Sequence, residues 1–169
     1  FLHCLMFYPL GHTPLLLVTE EFKMRFEKVS FKTWDDAVGC NFNIRTDYDD
    51  IKLPKQGTTY SMGMDFFMPF DMKIYPKSSA VIPTGIRWRT TMKEGDRYGL
   101  LIVPRSGLGF KYGLRLANTV GVIDADYQNS QNEGHIIIKL YNPSEHTIEL
   151  EKGKAFAQDI VMPYKICDG

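Results

Sequence analysis

The chain has 169 residues, enough for one domain of ordinary size with a core of its own. Apolar residues make up 44% and charged residues 24%, which excludes a disordered or low-complexity chain. Lys plus Arg equals Asp plus Glu at 20 each, so no net field draws the protein to nucleic acid or to an anionic membrane. A polyanionic ligand would need locally placed cations, backbone N–H groups or a metal ion.

Residues 1–23 are unlike the rest. Phe1 to Val18 is apolar, but Pro9, Gly11, His12 and Pro14 interrupt it, and it is too short to span a bilayer. It has neither the basic start nor the small-residue cleavage site of a signal peptide. Met24 opens a more ordinary stretch, MRFEKVSFKTW. Residues 1–23 are therefore read as an extension ahead of a single domain over 24–169, with packing on that domain or on a neighbouring subunit as the other option. Cys4, Cys40 and Cys167 are too few and too scattered for a disulfide framework or a zinc site, and suit reduced thiols in a cytoplasm.

Ser30 to Gly39 predicts one short helix, with Ser30 or Thr33 as cap and Gly39 as stop, and it is the only helix the pattern supports. Residues 40–60 are polar and irregular. Asp47, Asp49 and Asp50 cluster beside Tyr48 without the ligand spacing of a calcium loop, and are read as a solvated turn. From Met64 onward come short β-rich runs: DFFMPF, SAVIPTGIRWRT, YGLLIVP, HIIIKLYN, HTIEL and AFAQDIVMPY. Such runs with turn residues between them predict an all-β sandwich, jelly roll or barrel. Ile136-Ile137-Ile138 is apolar on both faces, as expected of a strand covered on both sides by a second layer or another subunit.

Two stretches carry chemistry. In Pro104-Arg105-Ser106-Gly107-Leu108-Gly109 the run YGLLIV leads into a turn holding a cation, a hydroxyl and two glycines. Arg presents a planar fork of donors to phosphate oxygens, Ser adds a hydroxyl, and glycine lets backbone N–H groups close on an anion. A tight turn with a surface arginine is the plain alternative. In Asn118-Thr119-Val120-Gly121-Val122-Ile123-Asp124-Ala125-Asp126-Tyr127 an amide, a glycine, a carboxylate and an aromatic share one hairpin-like stretch. Asn118 with backbone groups can hydrogen-bond a pyrimidine edge, and Tyr127 can lie on a sugar and exclude a 2′-hydroxyl. Asp124 follows two apolar residues, is expected to be partly enclosed, and can accept a proton from a water. An Asp-rich turn with a packing tyrosine is the alternative.

PRSGLGFKYGLRLANTVGVIDADY resembles the second and third motifs of the trimeric dUTPases almost position for position. The first motif is echoed by Ser61-Met62-Gly63-Met64-Asp65-Phe66-Phe67, and the fourth by Gly153-Lys154-Ala155-Phe156-Ala157-Gln158. Four motifs in order cover residues 61–164. MRFEKVSF, the DFF run and NSQNEGH are most similar to a subgroup of clostridia-like bacteria and their phages.

The resemblance implies a fold, a reaction and a site. The fold would be a distorted all-β jelly roll with one short N-terminal helix, assembled as a homotrimer with three sites between subunits. The reaction would be hydrolysis of dUTP to dUMP and pyrophosphate by water attacking the α-phosphorus. Asp124 would be the general base and Asp65 would hold Mg2+ through water. Arg105, Ser106, Gly107 and Gln158 would bind phosphates, Asn118, Gly121 and Ile123 the uracil, and Tyr127 the deoxyribose.

Three departures accompany the match. Asn129-Ser130-Gln131-Asn132-Glu133 is inserted before Gly134 and is read as a longer hairpin tip. Ala155 stands where the family usually has Arg, so that residue's ion pairs are lost. Only Lys165 to Gly169 follows Tyr164, where the family carries a glycine-rich segment that folds over the nucleotide; for a chain ending there, binding is expected to survive better than turnover. Two alternatives stay open. One is a dCTP deaminase relative, for which Glu133 is the only candidate acid; the other is a dUTPase-like nucleotide-binding or regulatory protein.

Overall fold

A computed structural model of the chain describes residues 24–39, 44–92 and 97–167. In chain order the elements are β1 (Met24–Lys28), α1 (Phe31–Val38), α2 (Ile44–Asp49), β2 (Lys55–Gln56), β3 (Met64–Phe67), β4 (Met72–Ile74) and β5 (Ser79–Thr90). Then follow β6 (Tyr98–Pro104), α3 (Ser106–Tyr112), β7 (Arg115–Leu116), β8 (Gly121–Ile123), a 3-10 turn (Ala125–Asn129), β9 (His135–Tyr141), β10 (Ile148–Leu150) and β11 (Ala155–Pro163). The reading of residues 1–23 lies outside the described residues.

The all-β expectation holds. One sheet runs β1-β5-β9-β7, another β2-β3-β11-β6-β8, and β10 pairs with β4. The two larger sheets close on a single core. Ile82, Ile86 and Trp88 of β5 and Ile136, Ile138 and Leu140 of β9 meet Phe66 of β3, Leu100 and Ile102 of β6 and Phe156 of β11 in one buried cluster. Phe26 of β1 meets Phe66 edge-on at 5.6 Å, tying the sheets at one end. Alternation sets these faces: Ile136, Ile138 and Leu140 point inward while Ile137 and Lys139 point out. Ile137 is 45% exposed, so within one chain this strand is covered on one side only.

The helix expected at Ser30–Gly39 is α1. The Ser30 hydroxyl accepts from the Thr33 N–H, Gly39 closes the other end on the Asp35 carbonyl, and Trp34 is fully buried in the core. It is not the only helix among the described residues. Within the polar stretch 40–60, residues 44–49 form α2, whose Arg45 pairs with Asp49 one turn on. Its Asp47 and the following Asp50 each receive Lys152 Nζ at 2.8 Å, so the acidic cluster clasps the β10–β11 turn where a solvated loop was expected. PRSGLG is likewise a helix start, since α3 begins directly after β6.

A bulge in β5 organises the side nearest α1. Between Pro83 and Arg87 the register with β9 shifts. Gly85 there has φ +71, and a Cβ on it would lie 2.3 Å from Ile51 Cδ1 and 3.1 Å from the Trp34 ring. Only glycine tolerates both that dihedral and that approach. The Gly85 N–H donates to Nε2 of the buried His135 at 2.8 Å, and the Thr84 hydroxyl donates to the Ile136 carbonyl at 2.6 Å.

Candidate functional site

The residues singled out in the sequence collect into two groups. The first lies where β3, β11 and β6 run side by side. Gln158 of β11 stands opposite Asp65 of β3 on one side and Val103 of β6 on the other. Arg105 leaves the end of β6, its N–H held by the Phe156 carbonyl at 3.2 Å, and its Nε lies 3.2 Å from Asp65 Oδ1. Ser106 and Gly107 follow at the exposed start of α3, where the first N–H groups of a helix have no intrahelical acceptor. Asp65, Arg105, Ser106, Gly107 and Gln158 thus share one polar shelf.

One glycine, Gly63, keeps the shelf open. A Cβ on Gly63 would lie 2.4 Å from the Asp159 carbonyl oxygen and 3.3 Å from Gln158 Oε1, so only glycine lets this loop lie against Gln158. A Cβ on Gly57 would sit 3.5 Å from Asp65 Oδ2. Gly63 falls within the motif-one segment, but no role for it followed from sequence.

The second group surrounds a cleft of about 150 Å³ lined by Asn118, Gly121, Val122, Ile123 and Ile137 among others. Tight local geometry delivers it. Thr119, a β-branched residue, is held at φ +70 between β7 and β8, which is strained for such a side chain. Its N–H donates to the Leu116 carbonyl and the Val120 N–H to the Asn118 carbonyl, turning Asn118 to the cleft. Gly121 is buried against Ile102, where a Cβ would come within 3.0 Å of Ile102 Cβ. Asp124 and Tyr127 come next. Asp124 precedes the 3-10 turn, is exposed rather than partly enclosed, and its side chain makes no cap hydrogen bond. Tyr127 is half-buried, its hydroxyl donating to the His135 carbonyl at 3.2 Å.

Asp124 and Arg105 do not meet within one chain. β8 pairs with β6 so that Ile123 stands opposite Leu100, which puts Asp124 level with Gly99. Arg105 lies six residues further along that strand direction, and at about 3.3 Å per residue the separation is about 20 Å. A general base must come within hydrogen-bond reach of the water it activates at the phosphate, and no triphosphate chain bridges that gap.

Glu133 is tied to α1 and β5. Its carboxylate accepts from the Ser30 N–H at 3.0 Å, the Ser30 hydroxyl, the Thr33 hydroxyl at 2.6 Å and Arg87 Nη1 at 3.3 Å. The Ser30 and Thr33 hydroxyls, reinforced by Arg87, hold it well below the ordinary carboxylate range, down to about 2. The inserted residues 129–133 continue from the end of the 3-10 turn as a loop clasped to α1 and β5, where a longer hairpin tip was expected.

Among the described residues no group of three His, Cys, Asp or Glu side chains could cage a metal. Mg2+ is commonly held by one or two carboxylates with waters and substrate phosphates. A single carboxylate beside a phosphate-type shelf is such a donor set, with Asp65 Oδ1 facing Arg105 and Oδ2 beside the side-chain-free Gly57.

The family model for dUTPase matches residues 49–168. The deoxyuridine 5′-triphosphate nucleotidohydrolase of Lactococcus lactis is 35% identical over 131 residues, 76% of this chain and 85% of that protein. The one from Idiomarina loihiensis is 37% identical over 139 residues, 80% of each chain. Among solved structures, the Streptococcus mutans dUTPase superposes with a TM-score of 0.63 at 32% identity, over 86% of this chain and 99% of that one. A mutant dUTPase of phage phi11 of S. aureus, described as revealing the coordination of a structural Mg(II) ion, shares the fold with a TM-score of 0.62 at 19% identity, over 86% of this chain and 94% of that one.

Proposed function

This chain belongs to the dUTPase family and is a dUTP diphosphatase that hydrolyses dUTP to dUMP, and from that premise we propose that Asp124 and Arg105, about 20 Å apart along the strands of one chain, come together between chains of a homotrimer. The observation that carries this reading is the strand register of β6 and β8, which holds Asp124 away from Arg105. The exposed apolar residues Val122 and Ile137 beside the cleft support it as surface for a neighbouring chain.

In the assembled site Asn118, Gly121 and Ile123 receive the uracil and Tyr127 stacks under the deoxyribose. Arg105, Ser106, Gly107 and Gln158 of a neighbour take the phosphate oxygens. Asp124 accepts a proton from water as the water oxygen bonds to the α-phosphorus. The α–β bridging bond breaks and its electrons leave with pyrophosphate. Its exposure in one chain suits a group that must meet water and a ligand delivered by another subunit. Asp65 would hold Mg2+ through water; when bound, the ion offsets the charge of the phosphate chain. On this account residues 24–169 act as one unit, with residues 1–23 outside it, and the enzyme works in a cytoplasm.

Glu133 bears on the deaminase alternative. Four donors saturate its carboxylate, which leaves no poised acid of the kind deamination needs.

The test offers dUTP, dCTP, dTTP and UTP with Mg2+ and follows pyrophosphate and ammonia, with Asp124→Asn as control. Pyrophosphate from dUTP, abolished by the substitution, is expected. Ammonia from dCTP would overturn the reading, and binding of dUTP without turnover would point to a regulatory protein.

A further inference from the structure

The inserted residues close a hydrogen-bonded ring around the Tyr127 hydroxyl. Asn132 Nδ2 donates to that hydroxyl at 2.9 Å, and the hydroxyl in turn donates to the His135 carbonyl at 3.2 Å. Asn132 is itself aimed from behind. The Ser130 hydroxyl donates to Asn132 Oδ1 at 2.6 Å and accepts from the Gly134 N–H at 3.0 Å. Both hydrogen-bonding directions of the phenol are thereby taken by groups of known position, which fixes the ring as well as its tip.

The ring is moored to the rest of the fold at two points. The Gln128 amide grips Thr90 on both sides, accepting from its N–H at 3.3 Å and donating to its carbonyl at 3.1 Å. Glu133 ties the loop to the start of α1 through Ser30 and Thr33, and to β5 through Arg87. The His135 carbonyl belongs to a residue whose side chain is locked under the Gly85 bulge. Tyr127 thus has little room to retreat.

That stiffness has a chemical use. A pocket that only presses on a substrate discriminates poorly against an analogue carrying one extra hydroxyl, because a yielding wall makes room for it. A wall held in place makes the same hydroxyl a steric clash. We infer that Asn132 is a positioning residue for sugar selectivity, holding Tyr127 so that nucleotides with a 2′-hydroxyl are refused. The inference rests on the reading that Tyr127 faces the deoxyribose.

The test measures kcat/KM for dUTP and for UTP in the assembled enzyme. Wild type is compared with Asn132→Ala, Ser130→Ala, Tyr127→Phe, Tyr127→Ala and the double variant Asn132→Ala with Tyr127→Phe, each checked for assembly and melting temperature. Asn132→Ala should lower the dUTP-to-UTP ratio roughly tenfold or more, chiefly by admitting UTP, with Ser130→Ala changing it less and in the same direction. In the Tyr127→Phe background Asn132→Ala should add nothing, since the bond it removes is already gone. An unchanged ratio in Asn132→Ala, or additive losses in the double variant, overturns the inference. If Tyr127→Ala loses selectivity while Asn132→Ala keeps it, the inference fails alone. If Tyr127→Ala also keeps it, the placement of the sugar on Tyr127 fails with it.

Discussion

A Cβ added at Gly121 would lie 3.0 Å from Ile102 Cβ and 3.6 Å from Leu116 Cδ2, so the floor of the cleft must rise to accept it. Gly121→Ala should therefore raise the KM for dUTP roughly tenfold while changing kcat less, the pattern of lost ground-state binding. An unchanged KM in steady-state assays would mean that the base binds elsewhere. Glu133 is a residue of stability rather than chemistry. Its carboxyl is held down to about 2 against an ordinary 4.5, so its contribution is complete above about pH 4.5 and is lost as pH falls toward 2. Glu133→Gln should melt below wild type at pH 7 and converge with it in strong acid. A constant difference across pH would show that the ionised form contributes nothing.

Among the elements, β5 and its bulge join α1, His135 and the inserted loop. Gly85→Ala meets Ile51 Cδ1 at 2.3 Å and an unfavourable φ together, and should cost roughly 2–4 kcal/mol in denaturant unfolding. A loss below about 0.5 kcal/mol would mean the bulge can relax. The strands β3, β5, β6, β9, β10 and β11 and the helix α1 were legible because alternation, turn residues and the Ser30 cap are local signals; β1 and the short β2, β4 and β7 were not read as strands. α2 was not, because residues 40–60 offer few apolar positions and its stabilising partner, Lys152, lies about a hundred residues away. α3 was hidden by Gly107 and Gly109, which disfavour helix in isolation. The site motifs were legible as residue types. The bonds of Glu133 to Ser30 and of Asn132 to Tyr127 were not, because a clasp built by tertiary contact leaves no periodicity in the sequence. Nor did any pattern indicate that Asp124 would stand exposed.

For the whole molecule, two buried ionisable groups bring opposing pH dependences to folding. Asp159 on β11 is fully buried with neither carboxylate oxygen hydrogen-bonded, and burial pushes its carboxyl up from 3.8 to about 7. Between those values the folded chain holds a proton that the unfolded chain releases, so stability falls as pH rises. His135 is the reverse case, since burial lowers its ring from 6.5 to about 4. Between pH 4 and 6.5 the unfolded chain binds the extra proton, and stability rises with pH. Each slope approaches about 1.4 kcal/mol per pH unit with opposite sign, so these two contributions should nearly cancel there. Asp159→Asn should expose the His135 slope, with stability rising from pH 4.5 to 6.5. Equal pH profiles for wild type and variant in denaturant melts would contradict this account of Asp159.

On the proposed reading, the distance between Asp124 and Arg105 within one chain makes activity a property of the assembly, and subunit mixing tests this directly. Asp124→Asn and Arg105→Ala chains, each inactive alone, are denatured, mixed in equal amounts and refolded together, and pyrophosphate release from dUTP is measured. Sites built from two chains should reappear at roughly a quarter of wild-type activity, the share of neighbouring pairs that unite two intact halves. A mixture no more active than its components would contradict a site shared between chains.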